Sequence, residues 1–343
     1  MAGYTLAGRP AFRRQSVATL TKVTIDVTWR RLIGRPLCRE WSWSLECATL
    51  FLREQLRAAF AFADRADGRE YLDSLVFNPP DALAVTATLV TAPVRGMWIE
   101  PSQTAARRTM LYFHGGGYAF YYRGHAHMIG LFAEHARART FALDYRLAPA
   151  HPHPAQLEDA VAAYRWLLDS GVAPADLIVG GDSAGGHLTL MLLAELIRLG
   201  MPQPALAIGI SPWTDIGARG RSFYENDRYD NVLSWMALQF GWWYQGEELS
   251  REALSPIHAT LAGAAPIYLQ AGEKEILVDM IRDFADAARA QGVDAVLDVW
   301  PHMTHEFQAY GSMLPESRDA LARLARVVDA HLPTTSAVPN IRR

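Results

Sequence analysis

The spacing of apolar residues changes character near residue 80. Before it the pattern is helical, most clearly from Trp41 to Ala63, where Leu45, Leu52, Leu56 and Phe60 fall on one face of a 3.6-residue period. Asn78-Pro79-Pro80 then breaks the pattern, because prolines lack an N–H and restrict the residue before them. From Leu83 onward, short apolar runs of strand character alternate with helical periodicity. The runs are Val85–Val90, Gly96–Ile99, Met110–Phe113, Phe141–Asp144, Leu177–Gly180, Ala205–Ile210, Ile267–Gln270 and Val296–Trp300. Helical stretches lie among them at Leu157–Leu168, Ala184–Leu199, Asp279–Gln291 and Glu316–His331. Strands that alternate with helices imply a largely parallel sheet covered on both faces. Ligands of such sheets sit beyond the carboxyl ends of the strands.

Residues 214–255 interrupt this rhythm with a dense set of aromatics, among them Phe223, Tyr229, Trp235, Phe240 and Trp243. They read as an inserted helical lid. The expected organisation is an N-terminal helical cap over 1–82, a core over 83–213 and 256–332, and a second cap segment over 214–255. The polar tail at 333–343 is expected to be disordered.

At 343 residues with half of them hydrophobic, the chain can build a large core without disulfide staples. The net charge of −3, with both signs interspersed, carries no basic footprint for nucleic acid. Cys38 and Cys47 fit neither a disulfide framework nor a metal site and are expected as free thiols. No apolar stretch is long enough for a transmembrane helix, and the N-terminus lacks a basic start followed by an apolar block. A cytoplasmic protein without stable membrane insertion is the expectation. The stretch Val17 to Trp29, bracketed by Arg13, Arg14, Arg30 and Arg31, is expected as a helix over the active site.

The chemistry concentrates in two glycine-rich motifs. Gly181-Asp182-Ser183-Ala184-Gly185 follows the strand Leu177–Gly180 and fits Gly-x-Ser-x-Gly, a sharp strand-to-helix turn that holds a serine exposed at its bend. A side chain at Gly181 or Gly185 would collide with the neighbouring strand or the helix start. His114-Gly115-Gly116-Gly117, after Met110–Phe113, supplies further N–H donors for a developing oxyanion. A serine needs a base and a carboxylate to orient that base, and in this order both follow the serine. Glu273, Glu275 and Asp279 follow the strand Ile267–Gln270, and His302 and His305 follow Val296–Trp300.

With these residues the chain resembles the bacterial hormone-sensitive-lipase-like branch of the α/β-hydrolases, a family of carboxylesterases. Beyond the two motifs, the resemblance rests on Asp144-Tyr145-Arg146-Leu147-Ala148-Pro149, Pro154-Ala155, Leu157-Glu158-Asp159-Ala160, Ser211-Pro212-Trp213-Thr214-Asp215 and Ser255-Pro256. It covers roughly Met97 to Gln308. It implies the α/β-hydrolase fold: a mostly parallel eight-stranded sheet flanked by helices, with a helical cap and a lid insertion.

The resemblance also implies roles. Ser183 aligns with the nucleophile and His305, in His305-Glu306-Phe307, with the base. Glu275 falls where the family places its acid, and Glu275-Ile276-Leu277 resembles the less common Glu-Val-Leu form of that turn. Asp279 is then expected to cap the following helix, and His302 lacks the His-x-Phe context. Backbone N–H groups of Gly116, Gly117 and Ala184 would form the oxyanion hole. Tyr118 and Trp213 are expected at the substrate. His114 is expected to shape the glycine loop, and Asp182, Asp144, Glu158 and Asp159 to serve the scaffold. His125, His127, His151 and His153 have no zinc-ligand spacing, so neither metal nor cofactor is expected. The expected partner is a small-molecule ester, and the family's dimers admit a homodimer. A lactone hydrolase or amidase would use the same residues. A small-molecule receptor on this fold is disfavoured because serine, histidine and carboxylate are all present.

Overall fold

The computed structural model describes residues 3–78, 81, 83–105, 107–246 and 249–333. The tail expected to be disordered lies, beyond Pro333, outside the described residues. Among the described residues, the N-terminal segment holds β1 (Gly3–Leu6), α1 (Pro10–Leu32), α2 (Trp43–Ala61), α3 (Arg65–Leu72) and β2 (Leu75–Asn78). Each helix starts where its sequence allows. Proline sits at the first turn of α1, Ser42 Oγ accepts from Leu45 N at 3.1 Å to cap α2, and the Asp64 side chain caps α3. The buried Glu46 carboxylate ties α1 to α2 by accepting from Arg31 at 2.8 Å and Arg30 at 3.2 Å. This segment is not all helical: β1 and β2 form an antiparallel pair, Gly3 opposite Asn78.

The main sheet has eight strands, β3 (Val85–Val90), β4 (Gly96–Pro101), β5 (Thr109–Phe113), β6 (Arg139–Leu143), β7 (Leu177–Asp182), β8 (Leu206–Ile210), β9 (Ile267–Gly272) and β10 (Ala295–Trp300). Their spatial order is β10-β9-β8-β7-β5-β6-β4-β3. Only β4 runs against the rest, antiparallel to both β3 and β6. The crossovers are α4 (Arg123–Ala136), α5 (Ala155–Asp169), α6 (Ala184–Arg198) and α9 (Val278–Ala290), and α10 (Pro315–His331) closes the chain.

Two-residue alternation assigns the faces of the central strands. Met110 and Tyr112 of β5 join a cluster with Met128, Ile129 and Phe132 of α4 and Leu321, Leu324 and Val328 of α10. Leu111 and Phe113 point the other way, into a cluster with Ala160, Ala163 and Leu167 of α5 and Leu188 and Leu192 of α6. Burial on both faces is why these strands read as continuous apolar runs.

Between β8 and β9 the chain forms α7 (Ser222–Glu225) and α8 (Ser234–Gln245). Helix α8 meets α2 through aromatic rings. Phe60 lies 4.8 Å from Phe240, 5.2 Å from Trp235 and 5.3 Å from Trp243, the last nearly parallel. Among the described residues no helix is long and apolar enough to cross a membrane. Cys38 and Cys47 are both free and buried.

Candidate active site

The candidate groups gather at the carboxyl ends of β5, β7, β9 and β10. Strand β7 ends at Asp182, and Ser183 turns directly into α6 with φ 50° and ψ −115°, a conformation few non-glycine residues adopt. The turn is held by Ser183 N donating to Ile210 O at 2.9 Å and by Trp213 N donating to Ser183 O at 3.1 Å. A Cβ on Gly181 would strike the backbone of Gly185 at the helix start and the Phe113 carbonyl of the neighbouring strand. A Cβ on Gly185 would strike that same carbonyl. Both collisions are the expected ones, which is why the turn demands glycine.

The loop after β5 runs through Gly116 at φ 93° and Gly117 at φ 60°. A Cβ on Gly116 would overlap the Phe120 carbonyl, and one on Gly117 the ring of Phe240. His114 shapes this loop: its ring stacks 4.2 Å from both Tyr121 and Tyr145, and its Nδ1 lies 2.7 Å from Gly115 O. Burial, then the neighbouring His125, push its pKa well below the ordinary value, so it stays neutral. Asp182 accepts from Tyr112 Oη at 2.6 Å and from Gly115 N at 2.8 Å, tying the serine turn to the glycine loop.

His305 and Glu275 are brought together. Both are buried, and His305 Nδ1 lies 3.3 Å from Glu275 Oε2. The other candidates are engaged elsewhere. Asp279 lies in the first turn of α9 rather than at its cap, accepts from Ser222 N at 2.9 Å and pairs with Arg282 at 3.0 Å. Glu273 accepts from His302 N at 2.8 Å. Asp144 pairs with Arg95, and Glu158 and Asp159 with Arg146. Glu306 adds a second carboxylate at this ring, with Oε1 3.4 Å from His305 Nε2. Burial works against charge on His305. The Glu306 charge and the hydrogen bonds to Glu275 and Glu306 outweigh it and raise the pKa well above the ordinary value.

The alpha/beta hydrolase fold family matches residues 110–309, more than half of the chain. The chain belongs to this family. Within it the protein is an ester hydrolase of the bacterial hormone-sensitive-lipase-like branch. An acetyl-hydrolase of Streptomyces hygroscopicus is 37% identical over 65% of this chain and 76% of its own length. An esterase of Acinetobacter venetianus is 31% identical over 69% of this chain and 81% of its own. The crystal structure of an esterase from the bacterial hormone-sensitive lipase family superposes with a TM-score of 0.74 at 34% identity, covering 82% of this chain and 97% of that one. A hormone-sensitive lipase from a metagenome library does so at 0.74 and 30%, over 82% and 98%.

In this esterase a narrow cavity of about 50 Å³ adjoins Ser183, lined by Gly116, Gly117, Trp213, Leu277 and His305 of the core, Leu52 and Leu56 of α2, and Phe240 of α8. A larger one of about 260 Å³ lies beside it under α1 and α2. Leu52, Tyr122, His125, Asn231, His305 and Glu306 line both. Leu20 and Thr24 of α1 border the larger cavity, but among the described residues none of α1 lines the one at Ser183. Tyr118 lines neither. Its side chain is buried, its hydroxyl bonds His187 Nδ1 at 2.7 Å and its ring stacks 4.2 Å from Tyr244, so it supports the loop instead of meeting substrate.

The segment between β8 and β9 contributes residues that the motifs do not reveal. The buried Asp230 accepts from Ile276 N at 2.6 Å, from Asn231 N at 2.8 Å and, more loosely, from His305 N at 3.4 Å. Asn226 Nδ2 donates to the carbonyls of Glu273 and Glu275, both at 3.0 Å, and Asn231 Nδ2 to His305 O at 3.2 Å. These contacts clamp the loop carrying Glu275 to the one carrying His305. No spacing rule could pair Asp230 with loops 46 and 75 residues away. Among the described residues, Cys38, Glu40 and His302 bring potential metal-ligand atoms within 4.8 Å of one another. The Cys38 thiol already donates to Glu40 there at 3.1 Å, and burial first, then that bond, keep it protonated.

Proposed function

We propose that the protein is a serine carboxylesterase in which Ser183 is the nucleophile, His305 the general base and Glu275 the acid that orients it. The observation that carries this reading is the 3.3 Å approach of buried Glu275 to His305 Nδ1, beside a strained Ser183 turn. His305 takes the Ser183 proton as Oγ attacks the ester carbonyl, and returns it to the departing alkoxide. Water deprotonated by the same histidine then cleaves the acyl-enzyme and regenerates Ser183. The N–H groups of Gly116, Gly117 and Ala184 are the proposed oxyanion donors, supported by the positive φ of both glycines and the helix start at Ala184.

The substrates we propose are short- to medium-chain or aromatic esters. The narrow cavity at Ser183 suits a small acyl group, in keeping with the relative named acetyl-hydrolase and one from Pseudomonas putida named ethyl acetate hydrolase. The larger apolar cavity would take the bulkier part of the ester. On this reading α1–α3 and residues 214–255 act as the two parts of one cap. Intact mass after a fluorophosphonate reagent tests the chemistry. A single adduct mapped to Ser183, absent in Ser183→Ala, is expected, with turnover in that variant down on the order of 10⁴–10⁶-fold. Near-normal esterase activity in Ser183→Ala would refute the assignment.

A further inference from the structure

Glu306 is a polar group at this site that the proposed reaction does not use. It follows His305 directly and takes the left-handed conformation, φ 53° and ψ 35°, which a glutamate rarely adopts without compensation. Its N–H donates to Ser211 Oγ at 3.2 Å, and the turn folds its side chain back into the site at 14% exposure. There Oε1 lies 3.4 Å from His305 Nε2, while Glu275 Oε2 lies 3.3 Å from Nδ1. The imidazole is thus bracketed by carboxylates on both nitrogens. Nε2 is the nitrogen that must accept the serine proton, and among the described residues no hydrogen bond joins it to Ser183.

We propose that Glu306 is a positioning residue that competes with Ser183 for His305 Nε2, holding the resting histidine as an imidazolium until its proton leaves. This rests on the reading of Ser183 and His305 given above. The balance is simple. The Nε2 proton, hydrogen-bonded to Glu306, passes to bulk water, and the freed lone pair then accepts the Ser183 hydroxyl.

The surroundings favour that resting state. Asp182 and Glu306 share a hydrogen bond in a buried site, and two carboxyls in contact do not both ionise. Burial first, then the Glu306 charge, push Asp182 well above the carboxylate range, so it keeps the shared proton. Burial pushes Glu306 up as well, but the His305 charge and the bonds to His305 and Asp182 outweigh it and hold Glu306 down at about 2. Asp230, raised to about 6 mainly by burial, adds negative charge near the ring above that pH, while His125, pressed below its ordinary pKa mainly by burial, stays neutral. Tyr112 and Tyr122, both pushed up mainly by burial, add no charge. Charge near the ring is therefore net negative, and His305 stays protonated beyond its ordinary range.

The test is kcat/KM against pH on an activated acetate ester, for wild type and Glu306→Gln, with fluorophosphonate labelling of both. The wild-type acid limb is expected above the ordinary histidine value of about 6.5. In Glu306→Gln it is expected to move down by about 1–3 pH units, because an opposite charge has been removed from contact. A limb that stays in place while Ser183 still labels overturns the role of Glu306 and leaves the nucleophile intact. Failure of the wild type to label Ser183 overturns both readings. Should Glu306→Gln not fold, the ¹⁵N shifts of His305 in the wild type decide. Both ring nitrogens protonated at pH 7 are expected, and a neutral tautomer overturns the proposal.

Discussion

At the residue scale, one buried contact and one buried acceptor set how the proposed base is held. Glu275→Gln keeps the shape but replaces an acceptor facing His305 Nδ1 with a group that can present N–H, favouring the wrong tautomer. Steady-state kinetics should show kcat reduced on the order of 10³–10⁴-fold with KM little changed; a loss below tenfold would move the acid elsewhere. Asp230→Ala removes the acceptor of Ile276 N and Asn231 N, leaving buried donors that each cost roughly 1–3 kcal/mol. Urea melts should show a loss of at least ~2 kcal/mol, with turnover falling as the two loops separate. Ionising Asp230 is itself unfavourable, since burial above all raises its pKa to about 6 in the fold. That strain is absent below the unfolded value of about 4 and complete above about 6. Ser183 and His305 are legible because each sits in a short motif with a local geometric purpose. Asp230 and Glu306 are not, because one acts across a tertiary contact and the other through a positive φ that a glutamate does not advertise.

At the element scale, the turn between β7 and α6 is tightly constrained by backbone on two sides. Gly185→Ala drives a methyl group into the Phe113 carbonyl, a backbone atom held in the centre of the sheet. The helix start must shift, carrying Ala184 N and Ser183 with it. A loss of about 1–3 kcal/mol by thermal or urea melt, with fluorophosphonate labelling of Ser183 slowed at least tenfold, is the expected result. Unchanged labelling would mean that the turn tolerates displacement. The central strands β5, β7, β8 and β9 are legible because burial on both faces makes each one a largely apolar run, whereas the edge strand β3 is mostly exposed. The β1–β2 pair is not, because Gly3–Leu6 and Leu75–Asn78 are four residues each and their pairing depends on three intervening helices bringing them together. Tyr118 fails for a related reason. Its place in the glycine motif suggests substrate contact, yet φ 63° turns its side chain towards His187 and Tyr244.

At the scale of the whole molecule, the proposed specificity turns on how α2 and α8 meet over the sheet. The aromatics that crowd residues 214–255 divide between two tasks: Phe240 faces the narrow cavity, while Trp243 and Tyr244 pack against Phe60 and Tyr118. Composition alone could not make that division, since it depends on which face of α8 meets α2. Leu52 borders both cavities and so stands at the passage from Ser183 to the space beneath α1. Each added methylene buried there contributes about 0.8 kcal/mol, so activity on p-nitrophenyl esters should rise with chain length until the larger cavity is full. A maximum at or below about eight carbons is expected. Leu52→Trp should block the passage without touching the groups that react. Its kcat/KM for the acetate should stay within about threefold, while that for the octanoate falls at least tenfold, a differential loss of about 1.4 kcal/mol or more. Equal losses on both esters would mean that the two cavities do not share one substrate, and that the space under α1 lies off the reaction path.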